Sequence, residues 1–477
     1  MKKNLILPSN PRYQPKQMVP FFAYDNLYRK VAEVEIATLK TLHEIGIIPD
    51  EDFKCGFSQY VETQLLSITT TEVDKIEREI THHDIRAWIR RAQEIIGKPL
   101  VRWVHVPLTS YDPIDTGRMM QFRDAYEFGL QPSIKDIVVL LSNCAEKFAG
   151  KLQIGRTHGQ HALPITVGFW FATILNRLLH NWKQMDYYAN CLLGKISGAV
   201  GAHNAQYGLN FTNKYDKESF EDLVLKKLGL KPAPISTQIL PPEPLAYFLF
   251  SCTMMSATIG QFGRDGRNLM RSEIAELSES FEKGQVGSST MAHKRNPINF
   301  ENLEGTWIKT KNEFGKVMDT LISEHQRDLV GSSVARDYPI ILINLQHQLN
   351  TLSKRNKDNI PFLSRLNIDT EACKKNFEQN ANFILAEPLY IALQMAGHEG
   401  DAHELVNRTL MPIAKEKNIE LIAALELVAD SDDIIKDVLS RMPENIRTLM
   451  RNPASYIGDA KEKALCIVEH AKQALKE

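Results

Sequence analysis

Apolar residues along the chain recur at helical rather than strand intervals. Residues 164–193 carry Ile165, Phe169, Leu175, Leu178, Leu179, Trp182 and Met185 at helix-like intervals. Residues 133–149, 297–325 and 332–356 follow the same period, and few stretches alternate as half-buried strands do. A helix of about 30 residues spans ~45 Å, longer than a small domain is wide. The pattern therefore predicts an all-α protein built on an elongated bundle of long helices. The broad apolar faces of such helices are buried against other subunits as well as within one chain. The longest uncharged run, LAYFLFSCTMMSATIGQFG at 245–263, is long enough to tempt a membrane assignment. Its Ser, Thr, Cys, Gln and Gly content predicts a buried core helix instead.

Punctuation divides the pattern into three helical parts. An N-terminal domain covers 1–107 and ends near Pro107. The long helices fill a central bundle domain, 108–355. A C-terminal domain follows over 356–477, with loops expected at 397–402 and 451–458.

Composition removes whole classes. Of 477 residues, 43% are hydrophobic and 24% charged, which excludes a disordered or collagen-like chain. The 57 basic and 58 acidic side chains leave a net charge of −1, so no broad basic surface points to nucleic acid or a membrane. A local basic pocket is still allowed. The six cysteines lie far apart, with no CxxC and no Cys/His cluster at zinc spacing, which suits a reducing compartment. The opening residues have too short an apolar core for a signal peptide. A soluble, cytoplasmic protein with no metal site is expected.

Candidate chemistry gathers at three turns that lead into predicted helices. Thr109-Ser110-Tyr111-Asp112-Pro113 offers Asp112 as an N-cap with Pro113 at the first helical position. Gly155-Arg156-Thr157-His158-Gly159-Gln160-His161 runs through Pro164 into the 164–193 pattern. Gly287-Ser288-Ser289, with Lys294, Asn296 and Pro297, leads into the third. Helix N-termini expose backbone donors and partial positive charge, so such turns suit anionic groups. Any one of them alone reads as an ordinary capped helix; their recurrence beside His, Lys and Arg favours a site. A closing loop of the third composition can supply a proton acceptor and an oxyanion clamp.

GSSTMAHKRNP, at 287–297, resembles the signature loop of the fumarase/aspartase superfamily. RYQPKQMVPFFAYDNLYRKVAEVE (12–35), EREITHHDIRAW (77–88), RWVHVPLTSYDPIDT (102–116) and GRTHGQHALPITVG (155–168) resemble adenylosuccinate lyase segments, in that family's order. So do SGAVGAHNAQ (197–206), ISTQIL (235–240), HQRDLVGSSVAR (325–336) and NPASYIGDA (452–460). The match spans almost the whole chain.

The resemblance implies a fumarase/aspartase-like fold of three helical domains that assembles into a homotetramer, each active site built from three subunits. It implies β-elimination of fumarate from a small anionic succinylated nucleotide (adenylosuccinate, and the related succinyl-carboxamide ribotide of purine biosynthesis) without metal or organic cofactor. By position, Ser288 resembles the catalytic base, with Ser289 the alternative. His158 resembles the general acid, with Glu301 to orient it. Lys294 and Asn296 match groups that hold the carboxylate that becomes electron-rich. Thr109, Ser110, Thr157 and Gln238 match further succinyl contacts. Arg12, Tyr13, Arg327, Ser332 and Arg336 match positions that grip the nucleotide phosphate, which suits the planar fork of arginine. His83, next to Asp84, resembles a family histidine at the reacting substrate; a helix-capping histidine is the plain reading of the same residue.

Three positions and one four-residue segment depart from the family pattern. Ala292 and His161 stand where proline is common, and Pro107 stands where glycine is. Pro241-Pro242-Glu243-Pro244 replaces a charged string after Gln238. That last change motivates the alternative of a lyase acting on another N-substituted succinate, or a carboxymuconate cycloisomerase. From a different class, a catalytically silent helical scaffold is opposed by the intact Ser288, His158, Lys294, Asn296 and Glu301.

Overall fold

The computed structural model describes residues 6–211, 218–280, 290–291 and 293–476. Helices dominate them, and the strands form three two-stranded sheets. The long helices include Arg29–Glu44, Gln131–Lys147, Val167–Ala189, Glu243–Leu269, Ile298–Asp319, Pro339–Ser353 and Ala460–Ala474. Three of these boundaries differ from the periodic reading, each for a local reason. The helix expected from Pro164 begins at Val167, because the Thr166 hydroxyl accepts the Phe169 N–H at 3.1 Å and caps it there. The one expected over 332–356 is broken before Pro339, which has no N–H to give and would clash with the preceding turn. The 298–319 helix stops where the Thr320 hydroxyl turns back onto the carbonyls of Lys316 and Val317.

The chain forms two compact units. The first comprises residues 1–136, 180–261 and 302–352. In it, the uncharged run lies inside the Glu243–Leu269 helix. Phe248, Cys252, Met255 and Ile259, four and three residues apart, form a stripe no more than 1% exposed. Phe248 meets Phe122 and Tyr126 edge-on at 6.5 and 5.9 Å. This helix is long and apolar enough to cross a membrane, yet 72% of its apolar window is buried inside the protein. Pro244 sits in its first turn, where a missing N–H costs nothing, and the Pro242 carbonyl accepts the Ala246 N–H.

The second unit comprises 137–179, 262–301 and 353–477. Trp170 stacks on Phe262, which meets Phe300 edge-on, and Phe300 meets Phe362 in the same way, with ring centroids 5.5 to 5.6 Å apart. The short C-terminal helices enclose their own apolar cluster, including Leu389, Leu393, Leu410, Leu421 and Leu425. Ile154, on strand β1 (Leu152–Thr157), packs into that cluster. β1 pairs antiparallel with β2 (Gln160–Thr166), with a bulge between Ile154 and Arg156. The turn read at 155–164 is therefore a β-hairpin, and Pro164 lies within β2.

Candidate active site

In the first unit, the helix Tyr111–Asp124 organises a cavity of about 1090 Å³. The helix starts at Tyr111, two residues earlier than the Asp-Pro reading placed it. Asp112 is not its N-cap: it sits in the first turn, 0% exposed. One oxygen accepts the Thr109 N–H at 2.8 Å. The other accepts the Lys195 ammonium at 2.5 Å and the N–H groups of Ser197 and Gly198 at 3.1 and 3.2 Å. A buried carboxylate with these partners fixes the Thr109–Ser110 turn and the 195–198 segment together. One helical turn on, Asp115 accepts the Leu240 N–H at 3.0 Å and faces Arg118. Burial pushes its carboxyl above the ordinary carboxylate range, against the pull of Arg118, the Leu240 N–H, Lys195 and Arg327. Asp115 thereby holds the strand of chain that carries Gln238.

The cavity wall takes in His83, Asp84, Thr109, Ser110, Gln238, Arg327, Ser332 and Arg336, eight of the residues singled out from sequence. Arg327 donates to Gln238 Oε1 at 2.7 Å and to Ser332 Oγ at 3.1 Å. Gln238 is thus a partner of the arginine. His83 both lines the cavity and caps the Asp84–Ile95 helix, its Nδ1 accepting the Arg86 N–H at 3.5 Å. The capping reading of His83 holds, and the same residue faces the cavity. Arg12 and Tyr13 belong to this unit but do not line the cavity. The Tyr13 ring stands edge-on to His347 with centroids 5.1 Å apart, and the Lys309 ammonium lies 5.1 Å from its centre.

The remaining candidates lie in the second unit. His158 and Gly159 form the two-residue loop of the hairpin, with φ of 53° and 76°. Positive φ at both loop residues matches the right-handed twist of the strands, and glycine takes it without strain. Thr157 and His158 are exposed at the tip. Behind them Arg156 pairs with Glu276, and the His161 Nδ1 meets the Asn380 amide at 2.9 Å. Burial first, and then Arg156, lowers the His161 imidazole from its ordinary value. Lys294 is exposed and Asn296 half-buried ahead of the Ile298–Asp319 helix. The carboxylate that caps this helix comes from Glu279, which accepts the Asn299 and Phe300 N–H groups at 2.9 and 3.1 Å. Burial raises the Glu279 carboxyl, and those same bonds oppose the shift. Glu301 is exposed in the first turn; among the described residues its side chain and the His158 ring do not hydrogen-bond each other. Ser288, Ser289 and Ala292 lie outside the described residues.

A family described as lyase matches residues 28–309. The adenylosuccinate lyase of Pyrococcus horikoshii is 34% identical over 476 residues, covering 98% of each chain. That of Archaeoglobus fulgidus is 31% identical over 482 residues, covering 99% of this chain and 100% of its own. That of Bacillus subtilis is 31% identical over 440 residues, covering 91% and 94%. The chain belongs to the adenylosuccinate lyase family. Among solved structures, the 3-carboxy-cis,cis-muconate lactonizing enzyme from Pseudomonas putida superposes with a TM-score of 0.76 at 21% identity, over 97% of this chain and 98% of that one. The fumarate lyase from Mesorhizobium sp. BNC1 gives 0.75 at 19% identity, over 96% and 98%. At such identities these two establish the fold, which is the all-α fumarase/aspartase fold.

In this member of the adenylosuccinate lyase family, two supports of candidate residues, one in each unit, escaped the sequence reading. Lys195 was legible only as a lone charge in the apolar string Leu193-Gly194-Lys195-Ile196, a weak sign of a buried ion pair. Glu276 carried no signal at all, because its partners Gln153, Arg156 and Asn376 are distant in the chain. The departure at 241–244 has a plain structural use, since it starts a core helix.

Proposed function

We propose that the protein releases fumarate from adenylosuccinate to leave AMP, and performs the corresponding cleavage of the succinyl-carboxamide ribotide in purine biosynthesis. The observation that carries this reading is the cavity that gathers Thr109, Ser110 and Gln238 with Arg327, Ser332 and Arg336 in a chain aligned over 98–99% of its length with enzymes of that name. Read as succinyl-side and phosphate-side groups, these residues line one cavity, which supports a substrate anionic at both ends.

In this reading Ser288 takes the proton from the carbon beside the carboxylate. Lys294 and Asn296 hold that carboxylate while it is electron-rich. The carbon–nitrogen bond breaks, the new double bond makes fumarate, and His158 returns a proton to the leaving nitrogen. Glu301 orients His158, and His83 with Asp84 lies against the reacting substrate. Arg12 and Tyr13 join Arg327, Ser332 and Arg336 on the phosphate. His158 sits on an exposed hairpin tip, which suits presentation to a cavity of another copy; we accordingly read the working form as a cytoplasmic homotetramer with shared sites. The three-part division at 107 and 355 belongs to the same reading.

Mixing a Ser288→Ala protein with a His158→Ala protein, each inactive, tests the shared site: dissociation and reassociation restores part of the fumarate release. No recovery contradicts the sharing. A cycloisomerase reading has only the common fold behind it.

A further inference from the structure

We infer that Tyr111 is the positioning residue of the phosphate grip, an inference that rests on the proposed function and adds a specificity determinant to it. The guanidinium carbon of Arg327 lies 3.3 Å from the centre of the Tyr111 ring, so the cation lies against the aromatic face. The Tyr111 hydroxyl sits 2.8 Å from Ser332 Oγ, and Ser332 Oγ in turn accepts from Arg327 at 3.1 Å. One side chain therefore supports both the arginine and the serine assigned to the phosphate, the first through its ring and the second through its oxygen.

The arrangement fixes the plane of the guanidinium. Its Nη1 is tied to Gln238 and its Nη2 to Ser332, while the ring sets the third direction. Of the five N–H donors of an arginine, two are used among the described residues and three are left for an anion. A planar fork held in place loses less freedom on gripping phosphate than a free one, and this is where affinity comes from. Tyr111 is held in turn by its neighbour: Asp112, fully buried, pins the first helical turn through Lys195 and the Thr109 N–H. The same turn thus bears the succinyl-side Thr109 and Ser110 and the platform of the phosphate side.

The test uses the full-length protein with Tyr111→Leu and Tyr111→Phe. Fumarate release from adenylosuccinate gives kcat and KM, and inorganic phosphate serves as a competing probe of the grip. Loss of the ring in Tyr111→Leu raises KM about ten-fold and weakens inhibition by phosphate by a similar factor, with a much smaller change in kcat. Tyr111→Phe, which keeps the face and loses the hydroxyl, lies between. If the Leu variant does not fold, the near-isosteric Phe variant decides: a raised KM and weakened phosphate inhibition support the inference, and unchanged values overturn it. A fall in kcat with KM and phosphate inhibition unmoved in either variant also overturns it. Absence of fumarate release from the unaltered protein is a different failure, that of the functional reading. Calorimetric titration of AMP into the same variants then still decides whether Tyr111 supports a phosphate site.

Discussion

Arg156 and Glu276 form a two-point ion pair, with Nη2 to Oε1 at 2.6 Å and Nη1 to Oε2 at 3.2 Å. The carboxylate is 1% exposed, and Gln153 and Asn376 complete its shell at 2.9 Å each. It sits immediately before strand Leu277–Ser278, while Arg156 lies two residues from His158. Buried pairs of this kind add little net stability, but removing one partner strands the other charge. Glu276→Gln should therefore cost about 3–5 kcal/mol in urea unfolding. It should also lower kcat for fumarate release more than it raises KM, because the hairpin tip loses its anchor. The double variant Arg156→Gln/Glu276→Gln should be no worse than Glu276→Gln alone, and additive losses would show that the two residues act separately.

The Lys195–Asp112 pair is the deepest among the described residues of its unit, with side chains 0% and 1% exposed. Lys195→Met leaves Asp112 with three backbone N–H donors and no counter-charge. We expect a loss of about 3–5 kcal/mol in unfolding free energy. We also expect a higher KM for adenylosuccinate, since the Thr109–Ser110 turn hangs on the same carboxylate. A Met variant as stable as the parent, with unchanged KM, would mean that the backbone donors suffice.

His161 provides a pH dependence with a definite sign. Its imidazole is lowered from an ordinary value of 6.5, first by burial and then by Arg156, with Glu276 opposing. The folded chain thus disfavours the charged ring relative to the unfolded chain. Its stabilising contribution is complete above about pH 6.5 and is lost as pH falls from there through the lowered folded value. Urea unfolding at pH 7.5 and 5.5 should show a larger acid loss in the parent than in His161→Gln. Equal losses would place the acid sensitivity elsewhere.

Long-range helical order was legible because helix–helix burial leaves a period in the sequence, as in the Phe248, Cys252, Met255 and Ile259 stripe. The cavity groups were legible where short motifs carried them: Thr109 and Ser110 in one turn, Arg327, Ser332 and Arg336 in one segment. The hairpin was missed although His158-Gly159 is a recognisable two-residue turn, because the flanking Pro164 was read as a helix start. Asp112 was noticed for the wrong reason, as a cap. Its role depends on Lys195, 83 residues away, and no local pattern reports a pair that only the fold brings together.

The central claim is fumarate release from adenylosuccinate. The direct measurement follows the ultraviolet absorbance of purified full-length protein incubated with adenylosuccinate, with chromatography of the products. We expect stoichiometric AMP and fumarate, abolished by Ser288→Ala and strongly reduced, through KM, by Arg327→Met. Unconverted adenylosuccinate, with intact folded protein in the cuvette, would contradict it.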